Sequence, residues 1–183
     1  FQKFSARNNL TLRTPSGKSA QKLPKGWTKL ADDFREQIGL KIEASGIESK
    51  YVINLDETPL YYEYIPKKVV EVKGAKDVKT WRAGLDKKRS TLVLAVTANG
   101  HILPPSLILP RKPRYNLQVR NRLNMKFYGT AKANAWMDSD TMVLWLKEVL
   151  IPYVGNNSAI LILDSYAAHY TEAVRQVLEE TNI

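Results

Sequence analysis

The sequence predicts an α/β domain in which helices pack on a mixed sheet. Three observations predict it. Two short apolar runs, residues 51–55 and 160–163, each end in an aspartate, Asp56 and Asp164. A longer run, 91–98, leads into Asn99-Gly100, the dipeptide that favours a hairpin turn. Helical periodicity then brackets the second aspartate strand, as expected of a βα arrangement rather than an all-β one.

The N-terminal elements come first. Residues 14–25 are rich in Pro, Gly, Ser and Lys and read as a linker. From Trp27, the positions Leu30, Ala31, Phe34, Ile38 and Ile42 share one helical face, and Gly46 is placed to end that helix. The run into Asp56 is apolar enough for a central strand, and Pro59 should stop it. Residues 69–72 and 78–83 are shorter strand candidates. Residues 89–97 form the strongest strand, and 101–109 return from the turn, interrupted by Pro104-Pro105.

Residues 111–122 are basic and irregular, and 125–128 suit one more short strand. Residues 138–154 carry Met142, Leu144, Trp145, Val149 and Leu150 at helical spacing, with Ser139 or Asp140 as the expected cap. Residues 159–163 read as a buried strand. A last helix over 171–180 has Thr171 as its cap and Ala173, Val174, Val177 and Leu178 facing inward.

Composition narrows the chemistry. With 183 residues and 44% of them hydrophobic, the chain can bury one real core plus an extension. It has no cysteine, which excludes disulfides, thiolate metal sites and a cysteine nucleophile. Its two histidines are too few for a histidine-rich metal site. No apolar run approaches the roughly 20 residues a membrane helix needs, so no membrane partner is expected. The net charge of +10 is uneven: residues 1–50 hold ten Lys/Arg against five Asp/Glu, 51–125 fourteen against six, and 126–183 four against seven. A field of that sign favours a polyanion such as DNA. The opening on Phe1 and the helical pattern running to the end suggest a piece of a longer protein.

A carboxylate closing a buried strand is held rigidly where ions can reach it. Two of them on neighbouring strands, Asp56 and Asp164, could grip divalent cations for phosphoryl transfer. Mg²⁺ (or Mn²⁺) suits such a site because it binds through one or two carboxylates and leaves positions for water and phosphate. Glu57 should point to the opposite face and stays out of that shell. His169 is expected to hydrogen-bond backbone at a turn, and His101 to face solvent. Lys87, Lys88 and Arg89, with Arg111, Lys112 and Arg114, are candidate DNA contacts. Trp81, Trp136 and Trp145 are expected in the core rather than as stacking platforms. Tyr61, Tyr62 and Tyr64 suit a half-buried strand surface.

Several stretches, in order, are similar to the pogo/Tigger branch of the mariner-type DDE transposases. They are Asn54 to Pro59 (NLDETP), Lys73 to Lys76, Lys88 to Thr91, Thr97 to Gly100, Leu103-Pro104-Pro105, Ala135 to Asp138 and Leu163 to His169 (LDSYAAH). The resemblance implies a ribonuclease-H-like mixed sheet flanked by helices, truncated at its C-terminus, with a helical N-terminal extension. It implies that residues 1–13 are the tail of a CENP-B-type helix-turn-helix domain, 14–50 a linker and helix, and 51–183 an incomplete catalytic domain. Asp56 and Asp164 would be two of three catalytic metal-binding acids, the third lying beyond residue 183. The expected partner is DNA, both transposon ends and target, and the expected compartment is the nucleus. A homodimer is left open. The alternative is a domesticated relative that binds DNA without cutting it. A ribonuclease H or exonuclease on the same architecture ranks last.

Overall fold

The computed structural model describes residues 1–14, 25–63, 68–76, 78, 88–111 and 128–183. Contacts divide the chain into two compact units, Phe1–Trp27 with Tyr61–Lys88, and Thr28–Leu60 with Arg89–Ile183.

In the first unit a short helix, α1 (Gln2–Arg7), leads into β1 (Leu10–Arg13). That strand pairs antiparallel with β3 (Val69–Val72), Leu10 opposite Val72 and Arg13 opposite Val69. Residues 10–13 are therefore strand, tied to a segment some sixty positions later. The Arg13 guanidinium adds a bond to the Ala75 carbonyl at 3.4 Å.

The second unit carries the candidate site. Its sheet has five strands in the order β6-β5-β4-β2-β7, formed by β2 (Val52–Tyr61), β4 (Arg89–Thr97), β5 (Ser106–Pro110), β6 (Tyr128–Lys132) and β7 (Ile160–Ile162). β7 runs parallel to β2, β5 antiparallel to β4, and β6 parallel to β5. A helical stretch follows β6: α3 (Ser139–Trp145), a π turn (Leu146–Leu150) and α4 (Ile151–Val154). After β7 come a 3₁₀ turn (Ala167–Tyr170) and α5 (Glu172–Glu180).

Alternation explains which face is core. Ile53 and Leu55 of β2, Val93 and Ala95 of β4, and Ile108 of β5 are buried against Met142, Trp145, Leu146, Val149 and Leu150 of the long helical stretch and Val174 and Val177 of α5. The mixed sheet with helices packed on it is as the sequence predicts. α2 (Trp27–Ser45) forms as its periodicity predicts and ends at Gly46, whose φ of +64° suits glycine, yet it buries none of its residues.

Several boundaries differ from expectation for physical reasons. β2 does not stop at Pro59. The Ala98 N–H bonds the Val52 carbonyl, so even-numbered residues of β2 turn their backbone polar groups toward β4. Odd-numbered Pro59 faces the other side, where β7 pairs only with residues 52–54, and no ladder bond is lost. The helix cap is Asp138 rather than Ser139 or Asp140: its Oδ1 accepts from the Thr141 N–H at 3.0 Å, and its other oxygen pairs with Lys132. The expected single helix over 138–154 contains a π turn. Pro152 cannot donate to the carbonyl four residues back, and the slack is taken up just before it. Of the strand expected over 125–128, residues 125–127 lie outside the described residues and Tyr128 opens β6 (Tyr128–Lys132); Ala173 is exposed rather than inward-facing. The strand expected at 78–83 and the irregular basic stretch after Arg111 lie outside the described residues, apart from a buried Val78.

Candidate active site at one end of the sheet

The topology brings chemistry to one edge. β7 ends opposite Asn54, while β2 runs on to Tyr61, level with the start of β4 at Arg89. β5 reaches the same edge before Arg111, and β6 finishes there at Lys132. Open α/β sheets take ligands at the C-terminal ends of their parallel strands.

The two aspartates follow the last β2–β7 pair by two residues each, with Asp56 still inside β2. Val52, Ile53 and Asn54 pair with Ile160, Leu161 and Ile162, a constant offset that would set Asp56 level with Asp164 if the strands ran on two residues further. Asn54 reinforces the join, its side-chain amide donating to the Ile162 carbonyl at 3.3 Å. Asp56 is exposed, and its Oδ1 accepts from the Glu57 N–H at 2.8 Å. The Asp164 side chain is 61% exposed, and its Oδ1 accepts from the Tyr166 N–H at 3.0 Å.

His169 is not a turn residue bonded only through its backbone. It is 1% exposed, and its ring lies between two carboxylates. Nε2 is 3.0 Å from Glu57 Oε1. Nδ1 is 3.0 Å from Asp164 Oδ1, but off the line a good hydrogen bond requires. Burial pushes the imidazole pKa down, while the Glu57 hydrogen bond and charge, with Asp164, push it up. The net shift is upward from 6.5. Tyr166 closes the group, its ring meeting His169 edge-on at 5.6 Å and its hydroxyl donating to the Met137 carbonyl at 3.3 Å. Glu57 was set aside in the sequence because it points away from Asp56. That same direction is what brings it to His169. The shared five-residue span from Asp164 to His169 was visible, but no local signal paired His169 with Glu57, 112 positions away.

Two other placements differ from expectation. Trp136 is 48% exposed rather than core, with the Arg89 guanidinium stacked 4.7 Å from its ring centre, whereas Trp145 is buried as predicted. His101 is exposed, though its ring stacks on Tyr153 at 5.6 Å. Of the basic candidates, Arg89 lines a cleft with Glu57 and Tyr166, Lys88 directly precedes it, and Arg111 follows β5 at the end where β4 begins. Lys87, Lys112 and Arg114 lie outside the described residues, as do Trp81 and Tyr64. Tyr61 and Tyr62 are both more than half exposed.

Among the described residues no three His, Asp or Glu side chains converge as a complete metal site. Asp56 and Asp164 are hard oxygen donors, accessible to solvent and carried on neighbouring strands. That donor set fits a hydrated divalent cation such as Mg²⁺ as part of a larger ligand set. No helix among the described residues is long and apolar enough to cross a membrane.

Strand order, mixed pairing and the position of the helices define a ribonuclease-H-like α/β domain. The chain belongs to the DDE superfamily endonuclease family, whose model matches residues 86–183. Two curated relatives are named pogo transposable element with KRAB domain. The human protein is 29% identical over 171 residues, 88% of this chain and 26% of its own length, and the mouse protein is 31% identical over 138 residues, 70% of this chain and 21% of its own. The human Jerky protein homolog is 28% identical over 142 residues, 70% of this chain and 24% of its own. The chain thus spans about a quarter of the curated relatives it matches. Among solved structures, the Mos1 transposase paired-end complex with left transposon end shares the fold, with a TM-score of 0.52 and 13% identity, over 99% of this chain and 48% of that one.

Proposed function

We propose that this chain is part of the catalytic core of a DNA transposase, with Asp56 and Asp164 as two of its metal-binding acids. The observation that supports the reading is the parallel β2–β7 register, in which Asp56 and Asp164 each follow the last pair by two residues, with Arg89 in a cleft beside Glu57. Bound Mg²⁺ (or Mn²⁺) would there lower the pKa of an attacking water and offset charge on the leaving oxygen. Asp56 and Asp164 would hold the cations as part of a larger ligand set. The Tyr166 N–H fixes one oxygen of Asp164, whose side chain is otherwise largely exposed. Arg89 and Arg111 draw in the phosphate backbone. A water oxygen bonds to phosphorus as the P–O3′ bond breaks, and its proton leaves to solvent while the 3′-oxygen takes one up. The products are a 3′-hydroxyl and a 5′-phosphate. That hydroxyl can attack a second phosphodiester in the same way, joining the strand to target DNA. The place of action is the nucleus, and pairing of two DNA ends would call for two copies.

Calorimetric titration of the parent polypeptide with Mn²⁺ tests the site. Saturable binding should be lost in the Asp56→Asn/Asp164→Asn double variant, together with nicking of duplex DNA. Undiminished Mn²⁺ binding by that variant would refute the assignment.

A further inference from the structure

Beside the acidic edge lies a cleft of about 210 Å³, lined by Glu57, Thr58, Pro59, Arg89, Trp136 and Tyr166. Its floor is Thr91 and Met137, both buried. The wall residue Trp136 is placed with care. Ala135 before it is fully buried yet adopts φ +54°, a left-handed conformation that costs a non-glycine residue. The turn is pinned by the Thr91 hydroxyl donating to the Ala135 carbonyl at 2.6 Å, by the Ala135 N–H on the Lys132 carbonyl at 3.2 Å, and by the Trp136 N–H on Asn134 Oδ1 at 3.2 Å. The result alternates Ala135 in, Trp136 out, Met137 in, so a large apolar ring is held in solvent by its backbone.

Among the described residues, Trp136 differs from the other exposed apolar side chains in both lining a cleft and carrying a stacked cation. Arg89 covers part of it through its guanidinium and leaves the ring half exposed. A flat aromatic with a stacked cation, next to a second exposed ring in Tyr166, is the surface on which unstacked nucleobases sit. A phosphate-only contact would need the arginine but not the tryptophan.

We infer that the Trp136–Arg89 cleft binds one unpaired nucleobase of the DNA strand held at the aspartates, with Trp136 as the stacking platform. The inference deepens the transposase reading and rests on it for the identity of the strand. Glu57, at the cleft wall, has its Oε1 held by His169. A neutral base meets that wall without charge repulsion.

The test is fluorescence anisotropy of the full chain with a short single-stranded DNA oligonucleotide and with the same oligonucleotide made abasic, both in EDTA. Stacking on one platform should make Trp136→Ala weaken binding about tenfold for the intact strand and hardly at all for the abasic one. Trp136→Phe keeps a platform and should stay within about threefold of the parent. Equal binding of intact and abasic strands by the parent, or an equal loss on both in Trp136→Ala, overturns the cleft assignment. Because every arm lacks metal, that failure leaves the metal-site reading standing. Loss of Mn²⁺ binding to the aspartates would instead end that reading and leave the base contact in place.

Discussion

A buried imidazole between Glu57 and Asp164 has a definite energetic signature. Charged His169 gains from two nearby carboxylates more than it loses by burial, so its folded pKa lies above the unfolded 6.5. The fold then binds the proton more tightly than the unfolded chain does. The added stability is fully present below about pH 6.5 and is lost as pH rises through the raised folded pKa. His169→Gln keeps a hydrogen-bonding side chain but cannot take the proton. Thermal unfolding measured across pH should show the parent's advantage over His169→Gln shrinking with rising pH, and a constant difference would contradict the coupling. His169→Ala goes further and leaves Glu57, 16% exposed, without its partner. Loss of one member of a buried ion pair costs about 3–5 kcal/mol, and the partial exposure of Glu57 brings the expected loss to about 2–3 kcal/mol by urea denaturation. Asp56 makes no contact with the histidine that any bond records, so Asp56→Asn should leave this pH profile in place.

At the level of elements, the strands that lead to the acids were readable because both open as short apolar runs, a pattern that depends only on neighbours in the chain. The helical starts were readable as regions but not as residues. Met137-Asp138-Ser139-Asp140 offers three capping side chains in succession, and only the geometry of the preceding turn selects Asp138. Its carboxylate both caps Thr141 and pairs with Lys132 at the end of β6. The two roles separate by substitution. Asp138→Asn keeps a capping oxygen and loses the ion pair, whereas Asp138→Ala loses both. Equilibrium unfolding should show about 1–2 kcal/mol lost for alanine and less than half of that for asparagine. A similar cost for both would mean that the Lys132 pair, not the cap, fixes the start of α3. The Pro59 misreading has the same origin as the capping ambiguity. Proline's cost in a strand depends on which side its nitrogen faces, and that is set by β4 and β7, distant in sequence. The exposure of Trp136 and the bridging of His169 likewise follow from contacts 47 and 112 positions apart in the numbering, beyond the reach of any local pattern.

For the molecule as a whole, charge and site oppose one another. The first two-thirds of the chain is strongly basic, but residues 126–183, which contain Asp164, hold seven acidic residues against four basic ones. On the proposed function, DNA would be attracted to the chain in general and repelled by the aspartates in particular. Two separable effects follow. Affinity for duplex DNA should fall with salt along a straight log–log line, and each phosphate contact removed should flatten the slope by about 0.9. Arg111→Ala, at the end of β5, should produce one such step without changing sequence preference. The aspartates should act with the opposite sign. In EDTA, Asp56→Asn/Asp164→Asn should bind DNA more tightly than the parent, because two negative charges have left the place a phosphate must approach. With Mn²⁺ present the parent should gain affinity and the double variant should not, since only intact carboxylates can turn the edge from repulsive to attractive. If the double variant binds DNA no better than the parent without metal, the aspartates lie away from the DNA path. The basic charge would then serve a contact elsewhere on the chain.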